Sequence, residues 1–238
     1  AITALTALTS LAFFFGAPYW GRRSDSMGRK PVIVVGLLGY ALGTYLFIGV
    51  AHMGLVGVVG GFTLYAIFIG TRIALVILMS ATLPATSAYI VDATTLGQRT
   101  SSLSKLAAAS QIGTMIGPVF AWFVVYGFLA PLYIQATMTL FIAIAVYLWL
   151  PESDRKIDSK TAVKKLRFMD TRYRKFLLIG LVIYTMLGMV QMTLGFYFED
   201  RLGLSREAAA MQFSLALVAS SVAMLCAQLL VVQRWQGH

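Results

Sequence analysis

Long apolar stretches separated by short polar ones make up most of this chain. A helix needs about 20 mostly apolar residues to cross the ~30 Å hydrocarbon core of a bilayer. The third apolar stretch is long enough to tilt or bend, and Pro84 is the expected kink because proline lacks a backbone donor. We predict seven membrane-spanning helices, at residues 1–20, 31–51, 56–91, 103–127, 131–150, 176–198 and 207–232.

The composition agrees with a membrane protein. Of the 238 residues, 59% are hydrophobic and 12% are charged, whereas soluble domains carry about 25% charged residues. The apolar runs are long enough for helices rather than barrel strands, so the predicted fold class is an all-α membrane protein. The chain starts within one apolar run and stops just after another, and we expect it to be a piece of a longer protein.

Lysine and arginine are distributed unevenly between the polar segments. Alternate segments, at 21–30, 92–105, 151–175 and the C-terminal end, hold 16 of the 19 cations, and the opposite set holds two. Cytoplasmic loops of membrane proteins carry such an excess of positive charge, which predicts that 21–31 is cytoplasmic. Because the cations lie between predicted spans, we expect no nucleic-acid partner despite the net charge of +10.

The basic segment 151–175 divides the five preceding spans from the two that follow. Apolar residues recur in it at helical spacing, which fits either a helix on the cytoplasmic membrane face or a solvated linker. We predict a first bundle at 1–150, a cytoplasmic linker at 151–175 and the start of a second bundle at 176–238.

One polar turn has the spacing G-x-x-x-D-x-x-G-R-K, formed by Gly21, Asp25, Gly28, Arg29 and Lys30. Gly28 can take the positive φ of a tight reversal. Gly21 permits close helix approach, and Asp25 can pair with a cation or with a helix N-terminus. The pattern resembles the signature loop between the second and third helices of the major facilitator superfamily. A positively charged turn with an incidental aspartate is the alternative.

Residues 88–99, AYIVDATTLGQR, resemble a segment of that family's proton antiporters of the tetracycline and multidrug type. Asp92 ends the third predicted span and Arg99 follows it. The resemblance implies that both join Asp25 and Arg29 in a cytoplasmic charge cluster, which locks one conformation and releases in the other. Ordinary helix-end capping is the alternative.

Residues 110–123, SQIGTMIGPVFAWF, resemble the Gly-Pro signature on the fifth helix of the antiporter branch, although Trp122 departs from it. The resemblance implies that Gly113, Gly117 and Pro118 form a tight helix-packing motif, since small residues four apart allow helices to approach. Generic glycine packing is the alternative. Further similarities at LPES and FYFEDRLGLS extend the resemblance from about helix 2 to helix 8, so that 1–150 would hold helices 2 to 6.

Arg72 lies inside the third predicted span and resembles the family's membrane-embedded arginine of the fourth helix. A buried cation is costly and usually functional, and an arginine that extends to the outer interface is the alternative. We take Arg72, Gln111, Tyr184 and Gln191 as candidate substrate or coupling residues, because they are polar or aromatic side chains within spans.

The resemblance implies a secondary active transporter that exports small amphipathic molecules or drugs in exchange for protons by alternating access. Its partners would be the substrate and the lipid bilayer, and it would be a monomer in the bacterial inner membrane, driven by the proton gradient without a cofactor. No nucleophile is evident and the two histidines lack ligand-spaced companions, so we expect neither an enzyme nor a metal site. The alternatives are an uptake carrier for a sugar or organic acid with the same fold, and a non-transporting membrane scaffold or remnant.

Overall fold

The computed structural model describes residues 2–152 and 171–227. Within these ranges the chain forms eight α-helices and two 3-10 turns, and no β-strand. The helices are α1 (Ile2–Met27), α2 (Arg29–Leu55), α3 (Gly61–Met79), α4 (Thr82–Asp92), α5 (Arg99–Ala121), α6 (Ala130–Trp149), α7 (Thr171–Leu202) and α8 (Arg206–Ala227). The prediction of an all-α protein is confirmed, and each of the seven predicted spans coincides with a helix, α3 and α4 together forming the third.

Two parts of the predicted organisation fall largely outside the described residues. Of the predicted linker 151–175, only 151–152 and 171–175 are described, and the latter begin α7. The last predicted span continues beyond residue 227, where the description ends. The division into a bundle, a linker and a second bundle therefore stays a prediction.

The described chain forms two compact units. The first contains α1 to α4, α6 and the flanking parts of α5. The second contains Ser110–Pro118 of α5 together with α7 and α8.

The first unit is built around α2, which packs against α3, α4 and α6. Gly36 of α2 lies against Thr82, and Gly43, further along α2, lies against Leu75. Residue numbers therefore rise along α2 as they fall along α3 and α4, which makes the helices antiparallel. This arrangement is the one that short connections impose on consecutive membrane helices.

Helix α1 packs on the same α3–α4 segment but runs parallel to it. Gly16 lies against Ser80, and Gly21 faces Pro84, whose Cβ would lie 3.9 Å from a Cβ built on Gly21. Since α1 and α2 run in opposite directions along one neighbour, the chain reverses between them. That reversal is confined to Gly28, because α1 continues to Met27 and α2 begins at Arg29. The predicted polar turn at 21–31 is thus mostly helical.

The third predicted span is interrupted at Ser80 and Ala81, between α3 and α4. Pro84 has no N–H to donate to the carbonyl of Ser80, and its ring crowds that carbonyl. The helix is thus interrupted next to Pro84, where the kink was predicted. The buried core of the unit lies beside this break, and it consists of Val32, Ile33, Ala81 and Ala85, surrounded by partly buried Trp20, Leu37, Tyr89, Val146 and Leu150.

Several helices have the length and outward-facing composition of membrane spans. By length and hydropathy alone, α2, the combined α3–α4 segment and α6 are long and apolar enough to cross a bilayer. Large apolar side chains cover their outer surfaces, and Phe62 (84% exposed) and Trp149 (82% exposed) are among them. Contiguous exposed apolar surface of this kind is rare on soluble monomers, and hydrocarbon would cover it favourably.

Candidate functional site

The candidate site begins at Gly28, the residue between α1 and α2. Gly28 has a φ of 97°, the positive value predicted for it, which side chains other than hydrogen rarely tolerate. A Cβ at this position would also lie 2.7 Å from Oε1 of Glu152, which follows α6. The Glu152 carboxylate is therefore close to the first turn of α2, where unpaired backbone N–H groups favour an anion.

Three charged side chains form what we call the charge cluster: Asp25 of α1, Arg29 of α2 and Asp92 of α4. Arg29 Nη1 lies 2.5 Å from Asp25 Oδ1, and Arg29 Nε lies 2.9 Å from Asp92 Oδ2. One guanidinium thus joins carboxylates from two other helices. Because only Gly28 separates α1 from α2, Asp25 and Arg29 lie close to the reversal on either side of it. This short connection keeps the two side chains within reach of each other.

The two ion pairs of the charge cluster differ in solvent exposure. The side chains of Arg29 and Asp92 are both 11% exposed, whereas that of Asp25 is 48% exposed. A solvent-exposed pair contributes little, because water and salt screen it. A buried pair is different, since removing one partner leaves a desolvated charge behind. The link between Arg29 and Asp92 is therefore the energetically critical one.

The break between α3 and α4 positions Asp92 relative to α1. At the break, the N–H of Ala81 donates to Leu78 O rather than to the carbonyl of Ile77. That carbonyl instead accepts from Trp20 Nε1 of α1 at 2.8 Å and from Ser80 Oγ at 2.7 Å. The indole of Trp20 thereby ties α1 to the bend in the third span.

Close approach of α2 to the same segment depends on two glycines that were not predicted as site residues. A Cβ at Gly36 would lie 2.6 Å from Thr82 Oγ1, and one at Gly39 would lie 2.5 Å from Leu78 Cβ. Small residues three or four apart bring helix backbones together. We call this close contact of α2 with the α3–α4 segment the α2 seam. The spacing of these glycines in α2 is the signal that could have identified it.

Besides Gly28, three members of the predicted latch lie outside the charge cluster. Lys30 Nζ lies over the Tyr147 ring, 5.6 Å from its centroid. Gly21 faces Pro84 of α4, as described. Arg99, at the start of α5, forms no ion pair with any described carboxylate, and its Nε is buried without a hydrogen-bond partner there. The roles of these residues stay predictions.

Gly113 and Gly117 of the predicted packing motif on α5 make no close helix contact among the described residues. No described atom beyond the neighbouring backbone lies within 4 Å of a Cβ built on Gly113 or Gly117. Pro118 belongs to α5, but its side chain is not among those described. The predicted packing motif at Gly113, Gly117 and Pro118 therefore stays a prediction.

The four candidate substrate or coupling residues belong to three helices, α3, α5 and α7. The Arg72 guanidinium lies 5.7 Å from the Phe47 ring centroid, over the face of that ring on α2. Gln111 Nε2 donates to Met224 Sδ of α8 at 3.4 Å, and Tyr184 on α7 is 77% exposed. Gln191 also belongs to α7, but the description does not extend to its side chain.

An apolar cavity opens between α1 and α3. Its volume is about 480 Å³, and it has almost no polar surface. Arg72 precedes one of its lining residues, Ile73, in the sequence. The lining includes Leu8, Leu11, Phe15, Tyr19, Ile73 and Ile77.

Two further hydrogen-bonded pairs join α2 to α6 and were not predicted. Gln135 Nε2 donates to the Tyr40 hydroxyl, and the hydroxyls of Tyr45 and Thr137 lie 2.7 Å apart. Hydrogen bonds between membrane helices stabilise their packing. No short motif marks these residues, because each pair is about 90 positions apart in sequence.

Long apolar helices that alternate in direction are typical of an integral membrane protein. The chain belongs to the Major Facilitator Superfamily, whose model matches residues 1–238. It therefore represents part of that family's helix bundle.

Individual relatives support this assignment at low identity. The chain is 30% identical over 191 residues to "Multidrug resistance protein 1" of Bacillus subtilis (strain 168), covering 75% of this chain and 44% of that protein. It is 29% identical over 150 residues to "Multidrug resistance protein 2" of the same organism, covering 63% and 34%. A "Probable triacylglyceride transporter" of Mycobacterium bovis (strain BCG / Pasteur 1173P2) is 25% identical over 160 residues, covering 66% and 29%. The chain spans less than half the length of these curated relatives.

Proposed function

We propose that this protein is a secondary carrier that exports small amphipathic molecules in exchange for protons. Membership of a transporter family and similarity to two proteins named for multidrug resistance support export. Positive charge concentrated in alternate polar segments supports a cytoplasmic position for 21–31, and the bacterial relatives support a location in the bacterial inner membrane. We expect the full-length protein to act as a monomer.

One observation carries the proposed mechanism: Arg29 is shared between Asp25 of α1 and Asp92 of α4. The buried pair forms when the cytoplasmic ends of α1, α2 and α4 are together. Separating these ends exposes or breaks that pair, so the charge cluster favours the closed arrangement. A differential contact of this kind is what shifts a two-state equilibrium.

The charge cluster also offers a place for a proton. Counted over its three members, it has two carboxylates and one guanidinium. Protonation of a carboxylate weakens its attraction to Arg29 and favours separation of the helices. A proton bound at this end of the molecule would thereby be coupled to opening, and Arg99 is a candidate to compensate the surplus charge.

The apolar cavity between α1 and α3 supports an apolar or amphipathic substrate. Its lining offers large aliphatic and aromatic surfaces, and the Tyr19 side chain has the only hydroxyl among the lining residues of this described cavity. Such surfaces bind apolar groups without a strict shape requirement. A lipid acyl chain is the second candidate substrate, favoured by this lining and by the relatives named as triacylglyceride transporters.

Transport by the full-length protein in sealed vesicles with an imposed pH gradient tests this proposal. A panel of lipophilic cations, neutral amphipathic drugs, labelled acylglycerols and sugars distinguishes the substrate classes. We expect proton-driven movement of amphipathic compounds, which Asp25→Asn and Arg72→Ala each slow, whereas Arg22→Gln at an exposed position does not. Proton-driven efflux that survives both substitutions would overturn the residue assignments, and movement of sugars alone would favour the uptake carrier.

A further inference from the structure

The buried hydroxyl of Ser24 is a third partner of Arg29. Ser24 is 1% exposed, although its neighbours Arg23 and Asp25 are exposed. Its Oγ donates to the carbonyl of Gly21 at 2.7 Å and accepts from Arg29 Nη1 at 2.7 Å. The hydroxyl thus both donates and accepts a hydrogen bond. Because its hydrogen points towards the Gly21 carbonyl, its lone pairs can accept only from a limited range of directions.

We propose that Ser24 is a positioning residue that directs the Arg29 guanidinium towards Asp92. This inference rests on the proposed function of the charge cluster as a latch. Ser24 assists the latch through Arg29 and has no contact with substrate or a proton in this role.

The geometry explains why a neutral hydroxyl matters beside two carboxylates. Arg29 Nη1 faces α1, where it meets both Ser24 and Asp25, while Arg29 Nε faces Asp92 on α4. Hydrogen bonds from a charged donor in a buried place are stronger than those between neutral groups. The hydrogen bond to Ser24 fixes Nη1 in a buried position. Because the guanidinium is planar, its Nε–H can then point towards only a narrow range of acceptor positions.

Removing the Ser24 hydroxyl leaves Asp25 as the remaining α1 partner of Nη1 among the contacts described. Asp25 is about half exposed and lies four residues before Arg29. The guanidinium can then follow this carboxylate towards solvent and away from Asp92. Ser24 therefore biases Arg29 towards the pair that joins α1 and α2 to α4, although Ser24 itself never contacts α4.

Ser26 provides a matched control on the same helix. It is the same residue type, two positions away, and its hydroxyl donates to the Arg23 carbonyl at 3.0 Å. Ser26 is exposed and has no described contact with Arg29. Ser24→Ala and Ser26→Ala each remove one local side-chain-to-backbone bond, but only the first removes a bond to the guanidinium.

The test measures the separation of α1 and α4 in the full-length protein in lipid nanodiscs. Spin labels are attached at Met27→Cys and Ala93→Cys, two exposed positions at the ends of these helices, in a background without native cysteines. Electron paramagnetic resonance then gives the distance distribution. We expect Ser24→Ala to lower the ratio of the short-distance to the long-distance population of the labels about tenfold, because a hydrogen bond to a charged group is lost. Ser26→Ala should leave that ratio unchanged.

A second variant separates positioning from general structure. In an Arg29→Lys background the ammonium lacks the fork that reaches both partners, so Ser24→Ala should change the ratio by less than about twofold. Equal distributions for Ser24→Ala and Ser26→Ala would overturn the proposal, as would an undiminished Ser24→Ala effect in the lysine background. A distance change without any change in transport would retain Ser24 as a positioning residue and contradict the latch function.

Discussion

Helices α2 and α5 both carry closely spaced glycines, yet their surroundings differ. In α2, Gly36 and Gly39 lie so close to the α3–α4 segment that an added methyl group would overlap it. In α5, the space beside Gly113 and Gly117 is open in the described structure. Glycine spacing therefore permits close helix approach without determining it. In α2 the seam continues to the charge cluster, and it brings Arg29 and Asp92 together.

The largest difference is expected when the charge cluster itself is altered. Arg29→Ala removes the guanidinium from Asp92, whose side chain is 11% exposed. Loss of one member of a buried ion pair costs about 3–5 kcal/mol in stability. Thermal unfolding of the purified protein in detergent measures this effect. Arg22→Ala, at an exposed position on α1, should change stability by less than about 0.5 kcal/mol, and equal effects of the two substitutions would refute the buried link.

A smaller effect is expected from filling the α2 seam. A Cβ at Gly36 meets Thr82 Oγ1 at 2.6 Å and the Thr82 backbone N at 3.1 Å. Overpacking of this kind costs about 1–3 kcal/mol, so Gly36→Ala should lower the unfolding temperature. Gly49 lies in the same helix with open space around it, and Gly49→Ala serves as the control. The comparison fails if both variants unfold at the same temperature.

These two regions also show how far the sequence predicts the site. The position of Gly28 predicted the tight reversal, and that of Asp25 allowed a pair with a nearby cation, because that information is local. Asp92 was assigned to the cluster through resemblance, and in the structure its Oδ2 lies 2.9 Å from Arg29 Nε. Ser24, Trp20 and Glu152 were missed. Their roles depend on which side of a helix faces which neighbour, and no spacing within one segment specifies that.

The boundaries of the elements teach a similar lesson. Polar residues 21–27 were expected in a turn, but they continue α1. A helix end outside the hydrocarbon core tolerates charged side chains. Pro84 predicted the break in the third span, since the missing donor is a local property. The hydrogen bond from Trp20 to the Ile77 carbonyl could not be predicted, since 57 residues separate the two.

A change at Trp20 tests that tie between α1 and the bend. Trp20→Phe removes the indole donor, while Ser80 Oγ still bonds to the Ile77 carbonyl. We expect a loss of about 1 kcal/mol, the usual contribution of one hydrogen bond. Trp149 is 82% exposed and Trp149→Phe is the matched control, read by the same unfolding assay. An unchanged midpoint for Trp20→Phe would show that the bend does not depend on α1.

The smallest effect is expected on α5. Because the described structure leaves open space beside Gly113, an alanine there should fit and should stabilise the helix by about 0.5–1 kcal/mol through reduced backbone entropy. Unfolding of Gly113→Ala measures this gain. Destabilisation would mean instead that a closely packed helix covers Gly113 in the full-length protein, as the predicted packing motif requires.

Exchange of the two buried charges tests the central claim most directly. Proton-driven efflux from vesicles is compared for Arg29→Asp, Asp92→Arg and the double variant that carries both. We expect each single change to slow transport at least about tenfold, because it places like charges together, and the double variant to recover a substantial part of the rate. Single variants that remain folded and transport at the rate of the unaltered protein would contradict a latch formed by Arg29 and Asp92.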